Sequence, residues 1–218
     1  MLQSFKLAIK SIIANKMRSF LTMLGLIIGV SAVVILVSVM MGYMNNMVKS
    51  FMDMGANTIS VNLVNMPARQ ASVDQMYDFF NEHRDIFSEM TPQVSVSGTI
   101  KVGSEKTTTT TVSGVSEYYG KLKNYKLEKG RFLSYADMVS RQKVVVIGYY
   151  VASKLFGSPK AAIGETIKIN GSAFTVVGVV QRQDKTQLSA RGSDDFAFMP
   201  YSTAGQLNGT SVPDYYIF

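Results

Sequence analysis

From Ser19 to Val48 the chain runs for thirty positions without a charged residue, against the roughly 20 that an α-helix needs to cross a hydrocarbon core. Before that run, Leu2, Phe5, Ile9, Ile12, Ile13 and Phe20 recur at helical spacing with Lys6, Lys10 and Lys16 off their face. This spacing predicts a helix lying along a membrane surface, its lysine stems flanking the apolar side, rather than a basic helix in water. After the run, Met44, Met47, Val48 and Phe51 keep the helical period as far as Gly55, a suitable C′ glycine. The span is therefore expected to continue outward as a stalk of about three turns.

Beyond the stalk the period changes to two. Asn57 to Val64 alternates Ile59, Val61 and Leu63 with polar neighbours, as a half-buried strand does. Ser72-Val-Asp-Gln75 is a capping-box pattern, and Val73, Met76, Tyr77, Phe80, Phe87 and Met90 then give one apolar helical face that Pro92 is expected to stop. Val94, Val96, Ile100 and Val102 share one strand parity; Gly103 to Lys106 supplies a turn, and Thr107 to Val115 returns as a second strand. Lys143 to Gly148 reads as a buried strand, followed by a short helix, Tyr149 to Phe156, closed by Gly157. Glu165 to Ile169, Asn170-Gly171 and Ala173 to Val180 predict a tight hairpin, because Asn-Gly supplies two positive φ values. Gln181 to Asp195 reads as a mobile polar loop and Phe196 to Pro200 as a short strand.

The expected organisation is an interfacial amphipathic helix over 1–18, a transmembrane helix over 19–43, a stalk over 44–55 and an α+β extracytoplasmic domain over 56–218. No later run is long enough to span again. The last residues, Tyr215 to Phe218, are apolar and strand-like with no polar tail, which gives the expectation of a longer parent protein.

Charge fixes the direction of the span. Lys6, Lys10, Lys16 and Arg18 precede it, and the first acidic residue is Asp53, so the N-terminus is expected in the cytoplasm and the rest outside. An uncleaved span fits better than an export signal, whose apolar core of about 7–15 residues ends at a small-residue cleavage site. Of 22 basic residues, 18 remain beyond the N-terminal segment against 15 acidic ones. The basic balance is thus mostly a topology signal, and no nucleic-acid partner is expected. The absence of cysteine excludes disulfides and thiolate metal sites.

Catalytic chemistry has little to gather around. The one histidine, His83, stands near Glu82 and Asp85 on a helix and reads as a solvated face. Gly114 and Gly120-Lys121-Leu122 miss both the spacing and the hydroxyl of a phosphate loop, so no nucleotide cofactor is expected on this chain. The fourteen methionines, many at helical spacing, read as packing residues rather than soft-metal ligands. Gly25 and Gly29 form Gly-x-x-x-Gly inside the span, with Ala32 on much the same face, a pattern that lets a second helix approach closely.

Ala14-Asn-Lys-Met-Arg-Ser-Phe-Leu-Thr-Met-Leu-Gly-Leu-Ile-Ile-Gly-Val30 resembles the opening of the MacB/FtsX-like permeases of ABC transporters, and Met54 to Val61 is similar to their exit from the stalk. Val112 to Val115, Gly130 to Phe132, Val144 to Gly148, Ala152 to Gly157, Ile163 to Ile167 and Phe174 to Val179 resemble their outer-domain blocks in the same order. Gln181 to Asp195 has no counterpart. The resemblance implies a non-enzymatic permease subunit with four membrane helices, working as a homo- or heterodimer with an ABC ATPase that carries ATP and Mg. It also implies mechanotransmission to the outer domain for export or handling of antibiotics, peptides or lipoproteins, with an extracytoplasmic adaptor as a possible further partner. The residues taken without the resemblance support a second reading, a membrane-anchored extracytoplasmic binding or adaptor protein.

Overall fold

The computed structural model describes residues 3, 6–7, 10, 13–53, 58–62, 71–184, 186–210 and 212–218, with backbone alone at 49–53. The chain divides into two compact units, Met1–Met52 and Asp53–Phe218. In the first, α1 runs from Lys16–Asp53, and its stretch Lys16–Val48 is long and apolar enough to cross a membrane. Its apolar side chains point to all sides, and among those described only Ser19 is even partly covered. A helix that is apolar all round and covered by no protein suits lipid as its solvent. Thr22 Oγ1 returns its proton to the carbonyls of Arg18 and Ser19, both at 3.0 Å, so that hydroxyl needs no water. Before α1, Lys6 and Lys10 are helical and exposed, whereas Leu2, Phe5, Ile9 and Ile12 lie outside the described residues. Gly55 lies outside them as well.

Among the described residues of the second unit eleven strands join in the order β1-β11-β2-β5-β10-β7-β9-β8-β3-β4, with β6 on β9. They are β1 Ser60–Asn62, β2 Thr91–Val96, β3 Ile100–Val102, β4 Glu105–Thr107, β5 Thr111–Val115, β6 Leu127–Gly130, β7 Val144–Ile147, β8 Thr166–Ile169, β9 Ser172–Val180, β10 Phe196–Pro200 and β11 Tyr215–Ile217. The helices between them are α2 Val73–Glu82, α3 Tyr119–Leu122, α4 Tyr135–Val139, α5 Tyr149–Phe156, α6 Pro159–Ala162 and α7 Tyr201–Asn208. This is an α+β domain.

The central strands are apolar at nearly every position because both of their faces are buried. Val145, Ile147, Ala197 and Met199 pack on one side with Val151, Ala152 and Leu155 of α5 and Ala204 of α7. Val146, Phe196 and Phe198 pack on the other with Tyr119, Leu133 and Met138. Alternation along β9 survives by a correction: a bulge opposite Val145 and Val146 inserts one residue, which returns Val179 to the face of Val176.

The hairpin of β8 and β9 forms as expected, with φ of 50° at Asn170 and 83° at Gly171. Asn170 has a second use, since its Nδ2 donates to Ser97 O at 2.7 Å and ties the turn to the link between β2 and β3. The helix over Tyr149–Phe156 also forms as expected, closed by Gly157 at φ 77°.

Several expectations are corrected. The capping box holds, with Ser72 N donating to Gln75 Oε1 at 2.9 Å and Gln75 N to Ser72 Oγ at 3.2 Å. Yet α2 ends at Glu82, ten residues short of Pro92, which lies in β2 opposite Tyr216. Phe87 and Met90 still reach the cluster of Phe80, Tyr216 and Phe218, so packing keeps the apolar spacing after the helix has ended. The expected strand from Val94 to Val102 is two strands, split at 97–99, and the return strand divides into β4 and β5, which lie far apart in the sheet. Ile59 and Val61 flank and form β1 but stay exposed rather than half-buried. The polar stretch 181–195 ends in two buried carboxylates. Asp194 accepts from Gln183 N at 2.7 Å, and Asp195 accepts from Thr110 Oγ1 at 2.6 Å and Thr109 Oγ1 at 2.7 Å. The first closes the segment on itself; the Asp195 bonds, with Thr111 N donating to Asp195 O at 3.1 Å, anchor it at the start of β5.

A pH dependence follows from the turn before α4. Arg131 grips Asp137 with two donors, at 2.6 and 3.0 Å, and Ser134 adds its N–H and hydroxyl at 2.8 Å. Burial alone would raise the Asp137 carboxyl, but these donors outweigh it and hold it below the ordinary aspartate value. The folded form therefore binds this proton less readily than the unfolded chain, and the associated stability is complete above the unfolded value and lost as pH falls through the depressed one. Asp137→Asn is expected to lower the melting temperature at neutral pH and to flatten its decline in acid, as scanning calorimetry between about pH 7 and 3 would show. Equal slopes for the two proteins would remove Asp137 from the acid response.

Candidate functional site

The residues that the sequence marks for helix contact lie on α1. At 100° per residue Gly29 stands about 40° from Gly25 and Ala32 about 20° from it on the other side, so the three form one narrow stripe. A Cβ added at Gly25 or Gly29 meets no described atom within 4 Å. The stripe is bare. Lys16 and Arg18 are exposed at the start of the same helix, in line with the exposed Lys6 and Lys10.

A second site is assembled by the fold from segments that the sequence keeps apart. Asp74, Tyr77 and Asp78 share one face of α2 by their spacing. Glu117 and Tyr118 follow β5, Tyr135 opens α4, and Tyr201 opens α7. With Arg84, Glu89, Phe80 and Met138 these residues enclose a cleft of about 370 Å³. Asp74, Met138 and Tyr201 also border a neighbouring groove of about 640 Å³ that extends towards Arg141 and Pro213.

The charges of the cleft are unevenly matched. Lys121 Nζ pairs with Glu89. The Arg84 guanidinium is already engaged, donating to Asn81 Oδ1 at 3.1 and 2.9 Å and lying 5.1 Å from the centre of the Phe80 ring. Burial pushes the Glu117 carboxyl above its usual range, and the neighbouring Glu89 adds to this against a backbone hydrogen bond. The Tyr77 phenol is pushed up by burial, then by Tyr201 and Glu117; Tyr201 is raised by burial, then by Glu117 and Asp74. Behind them Tyr216 is fully buried, and its hydroxyl has no hydrogen-bond partner among the described residues. Its phenol is raised to about 12 by burial and by Tyr201 and Asp74, both of which line the cleft.

His83 stays outside this arrangement. Its Nδ1 lies 2.8 Å from Phe79 O at the end of α2, and its ring lies 4.4 Å from that of Phe79 at a tilt of 30°. Sequence reasoning missed the cleft because its members come from α2, the turn after β5, α4 and α7. The spacing of Asp74, Tyr77 and Asp78 was the one local signal.

A family model described as the MacB-like periplasmic core domain matches residues 19–217. The chain is 30% identical over 209 residues to the macrolide export ATP-binding/permease protein MacB of Aggregatibacter actinomycetemcomitans, covering 93% of this chain and 32% of that protein. It is 31% identical over 205 residues to the MacB of Chlorobium luteolum, covering 90% and 30%. The chain thus spans about a third of the length of the curated relatives it matches. Its fold resembles the periplasmic region of MacB from Actinobacillus actinomycetemcomitans, with a TM-score of 0.61, 24% identity and coverage of 77% and 76% of the two chains. It also resembles the extracellular domain of the noncanonic ABC-type transporter YknZ from Gram-positive bacteria, with a TM-score of 0.58, 19% identity and coverage of 73% and 81%.

Proposed function

The chain belongs to the family of MacB-like periplasmic core domains, and on that premise we propose that it is the first membrane helix and outer domain of an ABC transporter permease that couples a partner ATPase to the extracytoplasmic side. The observation that carries this reading is a helix whose charge-free stretch, Ser19 to Val48, is of spanning length, in the same chain as the family's outer domain. The N-terminus is cytoplasmic; Lys6, Lys10, Lys16 and Arg18 hold that end at the headgroups, where their charges reach water. Gly25, Gly29 and Ala32 receive another permease helix, from a second protomer or from the same one. ATP and Mg are held by the ATPase, whose cycle moves the outer domains without a substrate crossing a channel. Export or handling of antibiotics, peptides or lipoproteins is the activity proposed, and the names of the relatives, which speak of macrolide export, support the first of these. The family match also supports a permease over a free-standing adaptor.

Topology is the condition on which this coupling depends. The protein has no cysteine, so single cysteines can be placed on a clean background. A cysteine replacing Ser104, exposed in the turn between β3 and β4, is expected to react with a membrane-impermeant maleimide in intact cells. One replacing Ser11 is expected to react only after permeabilisation. The reverse pattern would place the outer domain in the cytoplasm and end the coupling reading.

A further inference from the structure

We propose that the cleft beneath α2 binds a small organic cation, an ammonium group carried on an apolar or aromatic body. Four carboxylates line it, from Asp74, Asp78, Glu89 and Glu117, and Lys121 neutralises one of them. The one cation among the described lining residues, Arg84, is turned onto Phe80 and Asn81. In a chain of net charge +7 this is a local pocket of the opposite sign, which would concentrate a cation and repel an anion. The ligand's shape follows from the other lining groups. Tyr77, Tyr118, Tyr135 and Tyr201 provide aromatic surface, and ring faces joined to carboxylates are the usual means of holding an ammonium ion.

A metal ion fits poorly. Among the described residues no three of His, Cys, Asp or Glu converge closely enough to chelate one, so the carboxylates suit a charge spread over a larger body. The cleft's volume, about 370 Å³, is that of a small-molecule pocket. A separate observation points the same way. Tyr216 packs directly against the lining residues Phe80 and Tyr77, and its hydroxyl is buried at that wall without a partner among the described residues. The cleft lies wholly within Asp53–Phe218, so this proposal goes beyond the coupling reading and does not depend on it.

The test uses the whole chain in phosphatidylcholine nanodiscs, with empty nanodiscs subtracted, and isothermal calorimetry. The probes are 2-phenylethylamine and the neutral 2-phenylethanol, which share the aromatic body and differ in charge. The amine is expected to bind saturably, at about 1 mM or tighter, and the alcohol to give no saturable heat. Glu117→Gln is expected to weaken the amine by about tenfold and Tyr135→Leu by about threefold. Tyr135 is 70% exposed, so its replacement leaves the packing intact should Glu117→Gln disturb the fold. Glu105→Gln, at an exposed position of β4, is expected to bind as the parent does. Equal binding of amine and alcohol, an amine heat that does not saturate, or an unchanged affinity in Tyr135→Leu would overturn the proposal.

Discussion

Gly114→Ala, the addition of one methyl group, is expected to lower the melting temperature of the outer unit by roughly 6–12 °C. A Cβ at this position would lie 2.3 Å from Ala204 Cβ, 2.9 Å from Tyr201 Cα and 3.4 Å from Val94 Cβ. Two of these neighbours belong to α7, so the helix itself would have to lift from β5. Overpacking of this kind costs on the order of 3 kcal/mol when backbone must move, and for a unit of this size each kcal/mol shifts the midpoint by about 2–4 °C. The glycine's φ is not in the left-handed region, so the requirement is for space and not for conformation. Ala204→Gly in the same chain would remove the nearest obstacle and is expected to restore part of the loss, because the backbone of Tyr201 would still stand in the way of the new methyl. Scanning calorimetry of the two variants and the parent decides it. A midpoint unchanged in Gly114→Ala would mean that α7 does not rest on β5 at this point.

Why the sequence revealed some elements and hid others can be stated residue by residue. The long apolar helix α1, the β8–β9 hairpin and α5 were legible because each is determined locally, by a charge-free run, by Asn170-Gly171 and by Gly157. Helix α7 was not legible. Its buried residues are Thr203, Ala204 and Gly205, small side chains that let the helix sit against β5, and they give no apolar period to read. The end of α2 was misread because Phe87 and Met90 serve the same cluster as Phe80 from turns beyond the helix. Strand order was hidden for a different reason. β5 and β10 are parallel neighbours some eighty residues apart, and pairing at that distance is settled by tertiary packing. The acidic tyrosine cleft depends on both of these hidden features, since Tyr201 follows β10 and Glu117 follows β5.

If the chain is the permease part proposed above, Gly29→Leu in the whole permease is expected to reduce ATPase-coupled activity and helix crosslinking strongly, while Val34→Leu leaves both near the parent level. In lipid there is little hydrophobic gain from pairing helices, so close approach across small residues supplies the contact, and a leucine at Gly29 would hold the axes apart. A cost of about 2 kcal/mol lowers the pairing equilibrium roughly thirtyfold. Three features separate this cause from others. Nothing described in the chain lies within 4 Å of a Cβ at Gly29, so the leucine would displace no described part of it. Leucine is a better helix former than glycine by nearly 1 kcal/mol, so helix propensity alone would predict the opposite sign. Val34 stands about 140° around α1 from Gly29, so added apolar bulk is present in both variants and position alone differs. Both proteins are brought to equal membrane levels and compared for stimulated ATP hydrolysis and for crosslinking through cysteines flanking the stripe. Equal behaviour would put Gly25, Gly29 and Ala32 against lipid and move the helix contact to another face of α1.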